Sequence, residues 1–333
     1  MEKRQNNRNT TQNYKKLLQN KAINVLSCIN DKMLIDNKLK GTKEVTINDV
    51  KITINGNEAT KLSTRTNQIF DYLLLILTET LPHGNNIKLE TINEKREIAV
   101  SLLDFMEQFG LKSKSQARTQ LTKAIKNLYN ISLEWSEDRH IKEKGKKKLQ
   151  RFDFSTRILN TIGINGSDKI IKNNVAMIKF DIDFATAMTI APVMTYDTRL
   201  LKLNPKSSSY DFAKALLYFH NINYFKANKG IISVKNLLIR SPKIPKYKDI
   251  SKQGMISRSI IEPFENALIE LEKEGIITEW TYKKPKGELL TDQELEKMKY
   301  QDWVNWNVHF KINIQRKRVT RKSTAEGQKK ENL

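Results

Sequence analysis

Residues 97–135 read EIAVSLLDFMEQFGLKSKSQARTQLTKAIKNLYNISLEW. Glu97–Val100 alternates like a short strand, and Ser101 is a good N-cap for a helix over 102–109. Gly110 suits the left-handed residue that ends that helix. Ser113-Lys114-Ser115-Gln116 matches a capping box and opens a second helix to about Tyr129, with Ala117, Leu121, Ala124, Ile125 and Leu128 on one face. Ile131–Trp135 follows as a strand, 139–148 as a basic loop, and 149–157 as a returning strand. Upstream, 64–81 is a helix with Ile69, Leu73, Ile76 and Leu77 on its apolar face, ended by Pro82-His83-Gly84. Helix, strand, helix, turn, helix and two-stranded hairpin is the order of a winged helix-turn-helix.

The same order returns downstream. A helix spans 207–225 with Phe212, Ala215, Leu216 and Phe219 on one face. Ile231-Ile232 is a short strand, Ser233 caps a helix to about Ile239, and a loop holds Pro242 and Pro245. A long helix is predicted from about Lys252 to Lys273, stopping at Gly275, with Pro263 kinking or breaking it. Strands follow at Ile276–Tyr282 and Trp306–Ile314, and Thr291-Asp-Gln-Glu294 caps a short helix at 292–299 between them. Leu121-Thr-Lys-Ala124-Ile125-Lys-Asn-Leu128 overlays Phe264-Glu-Asn-Ala267-Leu268-Ile-Glu-Leu271. Two residues of slip then bring Ile131–Trp135 onto Ile276–Trp280, with a shared Glu-Trp pair.

Toward the N-terminus, a helix is expected from Tyr14 to about Met33, then a hairpin of Val45–Ile47 and Val50–Ile54 with turn signals at Asn48-Asp49 and Asn55-Gly56. Between the copies, Met177–Phe184 alternates strictly and reads as a half-buried strand. The fold class is therefore α+β and helix-rich: two tandem winged helix-turn-helix domains with an N-terminal helical and hairpin extension. The boundaries are 1–60 for a basic arm, helix and hairpin, 61–190 and 200–315 for the two domains, and 316–333 for a basic tail.

The chain has 333 residues, 59 of them basic and 37 acidic, for a formal charge of +22. Gly and Pro number 12 and 7, roughly half of average usage, which excludes collagen-like and turn-dense all-β architectures. Cys28 is the one cysteine, so an intrachain disulfide framework and multi-cysteine metal sites are excluded. The apolar run near Tyr72–Leu77 is far short of a membrane span, and MEKRQNNRNTTQN lacks the apolar segment of a signal peptide. A cytoplasmic protein with no membrane partner is expected. Its charge calls for an anionic partner, and phosphate lattices reward distributed Lys and Arg through counterion release.

With Leu121 pointing into the core, Gln116, Thr119 and Lys123 lie roughly opposite, flanked by Ser115, Thr122 and Lys126. An ordinary solvated helix face carries Glu–Lys pairs four residues apart, and none occurs between Ser113 and Tyr129. Gln, Lys and Thr here suit base edges and phosphates. Lys144, Lys146, Lys147 and Lys148 suit phosphates or a narrow minor groove. In the second copy Lys252, Met255, Arg258, Ser259 and Glu262 face away from Phe264, and Lys243, Lys246 and Lys248 approach the helix. The Glu makes this the weaker face. Arg316-Lys317-Arg318 and Arg321-Lys322 add a sequence-independent anchor.

Signs of catalysis are absent from the sequence. His83, His140, His220 and His309 are isolated, no Gly-x-x-x-x-Gly-Lys phosphate loop occurs, and no tyrosine sits in a nucleophile's context. Asp181 and Asp183 share a strand face that could hold Mg²⁺, but alternation with core residues explains them. No catalytic residue, cofactor or metal is expected.

Over about residues 60–315 the chain resembles plasmid replication initiators of the iteron-binding, tandem winged-helix family. The resemblance lies in Ser209-Tyr-Asp-Phe-Ala-Lys-Ala-Leu-Leu-Tyr218, Ile232-Ser-Val-Lys-Asn-Leu237, Ile261-Glu-Pro-Phe-Glu-Asn-Ala-Leu-Ile-Glu-Leu271 and Asp302-Trp303…Val308-His-Phe-Lys-Ile312. The insertion at 283–305 and the first 60 residues depart from it. It implies a non-enzymatic protein that binds direct repeats in double-stranded origin DNA. It also implies opening of A·T-rich DNA, recruitment of the host replicative helicase or its loader, and promoter repression as a homodimer. A winged-helix transcriptional regulator or autorepressor without a replication role is the alternative.

Overall fold

A computed structural model describes residues 14–26, 35–37, 42–47, 49–55, 63–84, 87–143, 146–162, 170–250, 255–296 and 298–313. The basic opening 1–13, the end of the expected first helix, Lys144, Lys252 and the tail 316–333 lie outside them.

The chain opens with β1 (Tyr14–Leu18), α1 (Lys21–Leu26), β2 (Ile35–Asn37), β3 (Thr42–Ile47) and β4 (Val50–Asn55). The helix expected from Tyr14 begins instead at Lys21, because Tyr14–Leu18 pairs antiparallel with β11 (Val193–Asp197). Next come α2 (Thr64–Thr80), α3 (Leu89–Lys95), β5 (Glu97–Ser101), α4 (Leu102–Phe109) and α5 (Lys114–Tyr129). Then follow β6 (Ile131–Glu143), β7 (Lys146–Arg157), β8 (Leu159–Ile162), β9 (Ile171–Lys172), β10 (Val175–Phe180) and α6 (Ile182–Thr189). After β11 and a 3₁₀ turn, Thr198–Lys202, come α7 (Ser209–Ile222), β12 (Ile231–Ser233), α8 (Val234–Ile239) and a π-helical turn, Ser257–Ile261. The chain ends with α9 (Glu262–Lys273), β13 (Ile277–Lys283), α10 (Asp292–Glu296), α11 (Tyr300–Trp303) and β14 (Asn307–Ile312).

Local chemistry sets the helix ends. Ser101 Oγ accepts from Asp104 N, Ser113 Oγ from Gln116 N and Ser233 Oγ from Asn236 N. Gly110 and Gly275 stop α4 and α9 at φ 62° and 68°. A Cβ at Gly110 would meet open space, whereas one at Gly275 would lie 3.2 Å from Arg199 Nη1. Gly275→Ala is therefore expected to lower stability by about 1–2 kcal/mol, and more than Gly110→Ala, in urea titrations followed by circular dichroism. Pro263 removes a backbone donor about three turns into the expected long helix. The preceding turn widens, and Glu262 N bonds Ser257 O in π geometry.

Two aromatic-centred helical cores result. In the first, Ala117, Leu121, Ala124, Ile125 and Leu128 of α5 are buried, and Tyr72, Phe105 and Phe109 cluster with centroids 4.5–5.8 Å apart. In the second, Phe212 and Phe264 meet at 4.8 Å, and Trp303 packs edge-on to Phe264 at 5.0 Å. The segment 283–305 is thus partly core.

Strand pairing shows which segments correspond. The second sheet has the order β12-β14-β13, and the first has β5-β10-β8. Ser101 faces Val175 as Ser233 faces Asn307. Leu102 N bonds Asn174 O at 2.8 Å, as Val234 N bonds Trp306 O at 2.9 Å. Asp181 N bonds Ile158 O and Asn313 N bonds Ile276 O, both at 3.1 Å. All but the Ile158 and Ile276 positions correspond at one constant offset. Ile276 therefore corresponds to Ile158, not to Ile131 as the sequence overlay had it. The shared Glu-Trp pair falls on non-equivalent strands.

The β6–β7 hairpin is an addition to this frame. It joins the N-terminal hairpin in a five-stranded sheet, β2-β3-β4-β6-β7, with α1 packed on β4 and β6. Residues 139–143 and 146–148 are strand rather than loop. β4 pairs with β6 only as far as Trp135, so the two-stranded ribbon projects roughly 27 Å beyond it. Met177–Phe184 is likewise strand only to Phe180. Asp181 caps α6, its Oδ1 accepting from Asp183 N at 3.0 Å and from Thr156 Oγ1 at 2.9 Å. The shared strand face for Asp181 and Asp183 does not exist.

Candidate nucleic-acid interface

The exposed side of α5 carries Lys114, Ser115, Gln116, Arg118, Thr119, Lys123 and Lys126, with Thr122 half-buried beside them. No acidic residue lies in the helix, and among the described residues no carboxylate pairs with its four cations. Thr119 Oγ1 donates to Ser115 O at 3.0 Å, which turns the hydroxyl proton inward and leaves the methyl and lone pairs outward. The residues singled out on this helix thus share one surface. Arg118 belongs to it as well. It lies only about 60° from Leu121 on a helical wheel, so periodicity assigns it to the core margin. In the fold its Nη2 reaches Asn174 Oδ1 at 2.9 Å.

The ribbon lies next in sequence. Lys148 is exposed, Lys146 and Lys147 are on β7, and Lys144 is outside the described residues. A ribbon this long and basic can follow phosphates or enter a groove.

The corresponding surface in the second half is less cationic. Arg258 is exposed and Ser259 half-buried in the π-helical turn, and Lys246 and Lys248 are exposed beside it. Lys252 lies outside the described residues. Lys243 is withdrawn from any DNA role: its Nζ reaches Asp211 Oδ2 at 3.2 Å and donates to Ser207 O. Burial pushes the Asp211 carboxyl up to about 6, against the opposing pull of Lys243. Burial also lowers the Lys243 ammonium. Along α9 itself Glu262, Glu265, Glu270 and Glu272 outnumber Lys273. The exposed cations Lys246, Lys248 and Arg258 all precede Pro263.

Elsewhere, a polar groove of about 590 Å³ lies on the five-stranded sheet. Glu44, Glu134, Asp181 and Asp183 line it against Lys51 and Arg157, a balance that does not favour a polyanion. Among the described residues no cluster of His, Cys, Asp and Glu is placed to hold a metal, and no helix is long and apolar enough to cross a membrane.

The two halves meet across a buried polar seam. Asp71 of α2 accepts from Tyr210 Oη at 2.6 Å and from Lys214 Nζ at 2.7 Å, both on α7. Gln68 Nε2 donates to Leu200 O and Leu203 O at 3.0 and 2.9 Å. Arg199 pairs with Asp197 at 2.6 Å and donates to Glu274 O at 3.0 Å. The segment between the halves is thus fastened on both sides.

No protein-family model matches the chain, and no curated protein matches it. Among solved structures it is similar to a selenomethionine derivative of domains 2 and 3 of RctB. Identity is 12%, covering 88% of this chain and 99% of that one, with a TM-score of 0.40. A second structure of RctB domains 2–3 gives 12% identity, 81% and 90% coverage and a TM-score of 0.38. The WH1 domain of MSBI1.176, a replication protein isolated from a multiple sclerosis patient, gives 19% identity over 38% of this chain and 79% of that one, with a TM-score of 0.21.

Proposed function

We propose that this chain is a replication initiator that binds specific repeats in double-stranded origin DNA through two tandem winged-helix units, 61–190 and 200–315. It promotes origin opening, recruits the host replicative helicase or its loader, and has no catalytic step of its own. The observation that carries the reading is the acid-free cationic face of α5, set on a capped helix-turn-helix whose frame recurs in the second half. In this reading Gln116, Thr119 and Lys123 read bases, and Ser115, Thr122 and Lys126 flank them on phosphates. The lysines at 144–148 and Lys248, Lys252, Arg258 and Ser259 hold the backbone.

Footprinting the purified full chain across the DNA flanking its own gene tests this. Direct repeats with equal protection are expected. A single palindromic footprint over a promoter would replace initiation with transcriptional regulation. On the protected repeat, Lys123→Ala and Gln116→Ala are each expected to lower specific affinity by about tenfold while leaving random-sequence affinity within threefold, in titrations at fixed salt. Equal loss on both DNAs would reduce these residues to phosphate contacts.

A further inference from the structure

We infer that the cationic, aromatic patch where α7 ends docks an acidic segment of a partner protein, one that carries a large apolar side chain. Tyr218, Phe219, Tyr224 and Phe225 build the patch, and Lys226, Lys229 and Lys235 supply its charge. The inference stands apart from the DNA reading and does not rest on it.

The sequence explains the charge. Between Asp211 and Asp249 the chain has no Asp or Glu, against eight Lys and Arg. Two of the eight turn inward, Lys214 to Asp71 and Lys243 to Asp211. Lys226, Lys229 and Lys235 are exposed. Rings stand where carboxylates would usually answer such cations. Arg240 Cζ lies 5.3 Å from the Phe219 ring centre and 5.5 Å from that of Tyr218, and Lys229 Nζ lies 5.5 Å from that of Tyr224. A ring face orients a cation without neutralising it, so the patch keeps its positive charge.

The fold explains the apolar part. Phe225 is 97% exposed, Ile239 65% and Ile222 44%. A lone exposed Phe is ordinary, but this one continues a chain of rings, His220 to Tyr224 at 5.8 Å and Tyr224 to Phe225 at 5.0 Å. The turn that holds Phe225 outward is fixed by its backbone. Lys226 N bonds Asn223 O at 2.8 Å, Ile231 N bonds Asn228 O at 3.0 Å and Phe310 N bonds Gly230 O at 2.8 Å. A Cβ at Gly230 would meet Phe310 O at 2.5 Å, so glycine lets the turn close on β14. This is the end of the small sheet opposite the β13–β14 connection, which enters beside Ser233 at Asn307.

Charge and ring geometry select the occupant. A second copy, at +22, would be repelled. Single-stranded nucleic acid stacks its bases on open ring faces. Here the rings meet edge-on, at 73–86°, and cations cover the faces of Tyr218, Phe219 and Tyr224. An acidic peptide with an apolar anchor uses both parts, its carboxylates on the lysines and its anchor against Phe225, Ile222 and Ile239.

The test is selection by the full chain from a displayed library of random short peptides. Wild type is expected to enrich peptides rich in Asp and Glu with a Phe, Trp or Leu among them. In fluorescence anisotropy, Phe225→Ser is expected to bind the enriched peptide about tenfold more weakly, and so is Lys226→Glu with Lys229→Glu. Lys202→Glu with Lys206→Glu makes the same charge change elsewhere on the surface and should stay within threefold. Unchanged melting temperatures check the fold of each variant. A library that yields no acidic motif overturns the inference. An enriched peptide that binds every variant alike also overturns it, because overall charge then accounts for the binding. Oligothymidine is the second probe. If its binding falls tenfold in Phe225→Ser while that of the peptide does not, the patch stacks bases and the docking inference is overturned.

Discussion

Asp71→Ala is expected to lower stability by about 3–5 kcal/mol in urea unfolding followed by circular dichroism. Asp71 is fully buried, and Lys214 is nearly so. Removing the carboxylate leaves an ammonium and the Tyr210 hydroxyl without their acceptor in the protein interior, and that desolvation penalty dominates over the lost attraction itself. Asp71→Asn keeps an acceptor for one donor and is expected to fall between wild type and alanine. Asp71→Leu with Lys214→Met removes both charges and should recover most of the loss. If the alanine variant matches wild type, water reaches Lys214 and the seam is not a fixed joint. Under the proposed function the joint bears on binding, because its two sides belong to different halves. Loosening it should lower affinity for a complete repeat more than for a half repeat, since the second face would no longer be held in place for the first.

The parts of the fold that could be read from sequence are those set by nearest neighbours. Ser101, Ser113 and Ser233 act as caps within three residues of their partners, and Gly110 and Gly275 stop helices by their own backbone freedom. The apolar face of α5 follows from a 3.6-residue period that no distant contact disturbs. What failed depended on partners far along the chain. Tyr14–Leu18 is strand because Val193–Asp197 offers it an edge, and nothing local announces that. The start of β6, Ile131–Trp135, and β8, Leu159–Ile162, are both apolar-rich strand segments, and periodicity cannot say which of them pairs with β10. Met177–Phe184 has a period of two throughout, yet Asp181 can end a strand and start a helix at once, and the cap prevails. The α5 surface was therefore legible, while Arg118's place on it was not, because only the β5–β10 pairing brings Asn174 to Arg118.

Replacing Lys144, Lys146, Lys147 and Lys148 together by alanine is expected to weaken binding to every duplex by roughly a hundredfold at low salt. The reasoning is electrostatic and separates this ribbon from the helix. Each phosphate contact adds about 0.9 to the slope of log affinity against log salt, so losing four should flatten it by roughly three to four. Under the proposed reading, in which α5 meets base edges, discrimination between duplexes should stay within threefold of wild type, because counterion release is blind to sequence. The fold should survive, since β6 and β7 run past the end of β4 there, and melting temperature checks it. A salt slope unchanged in the fourfold variant would take the ribbon off the DNA and leave its cations for another acidic partner. A slope that falls together with the specificity ratio would instead place the ribbon in a groove, reading sequence alongside α5.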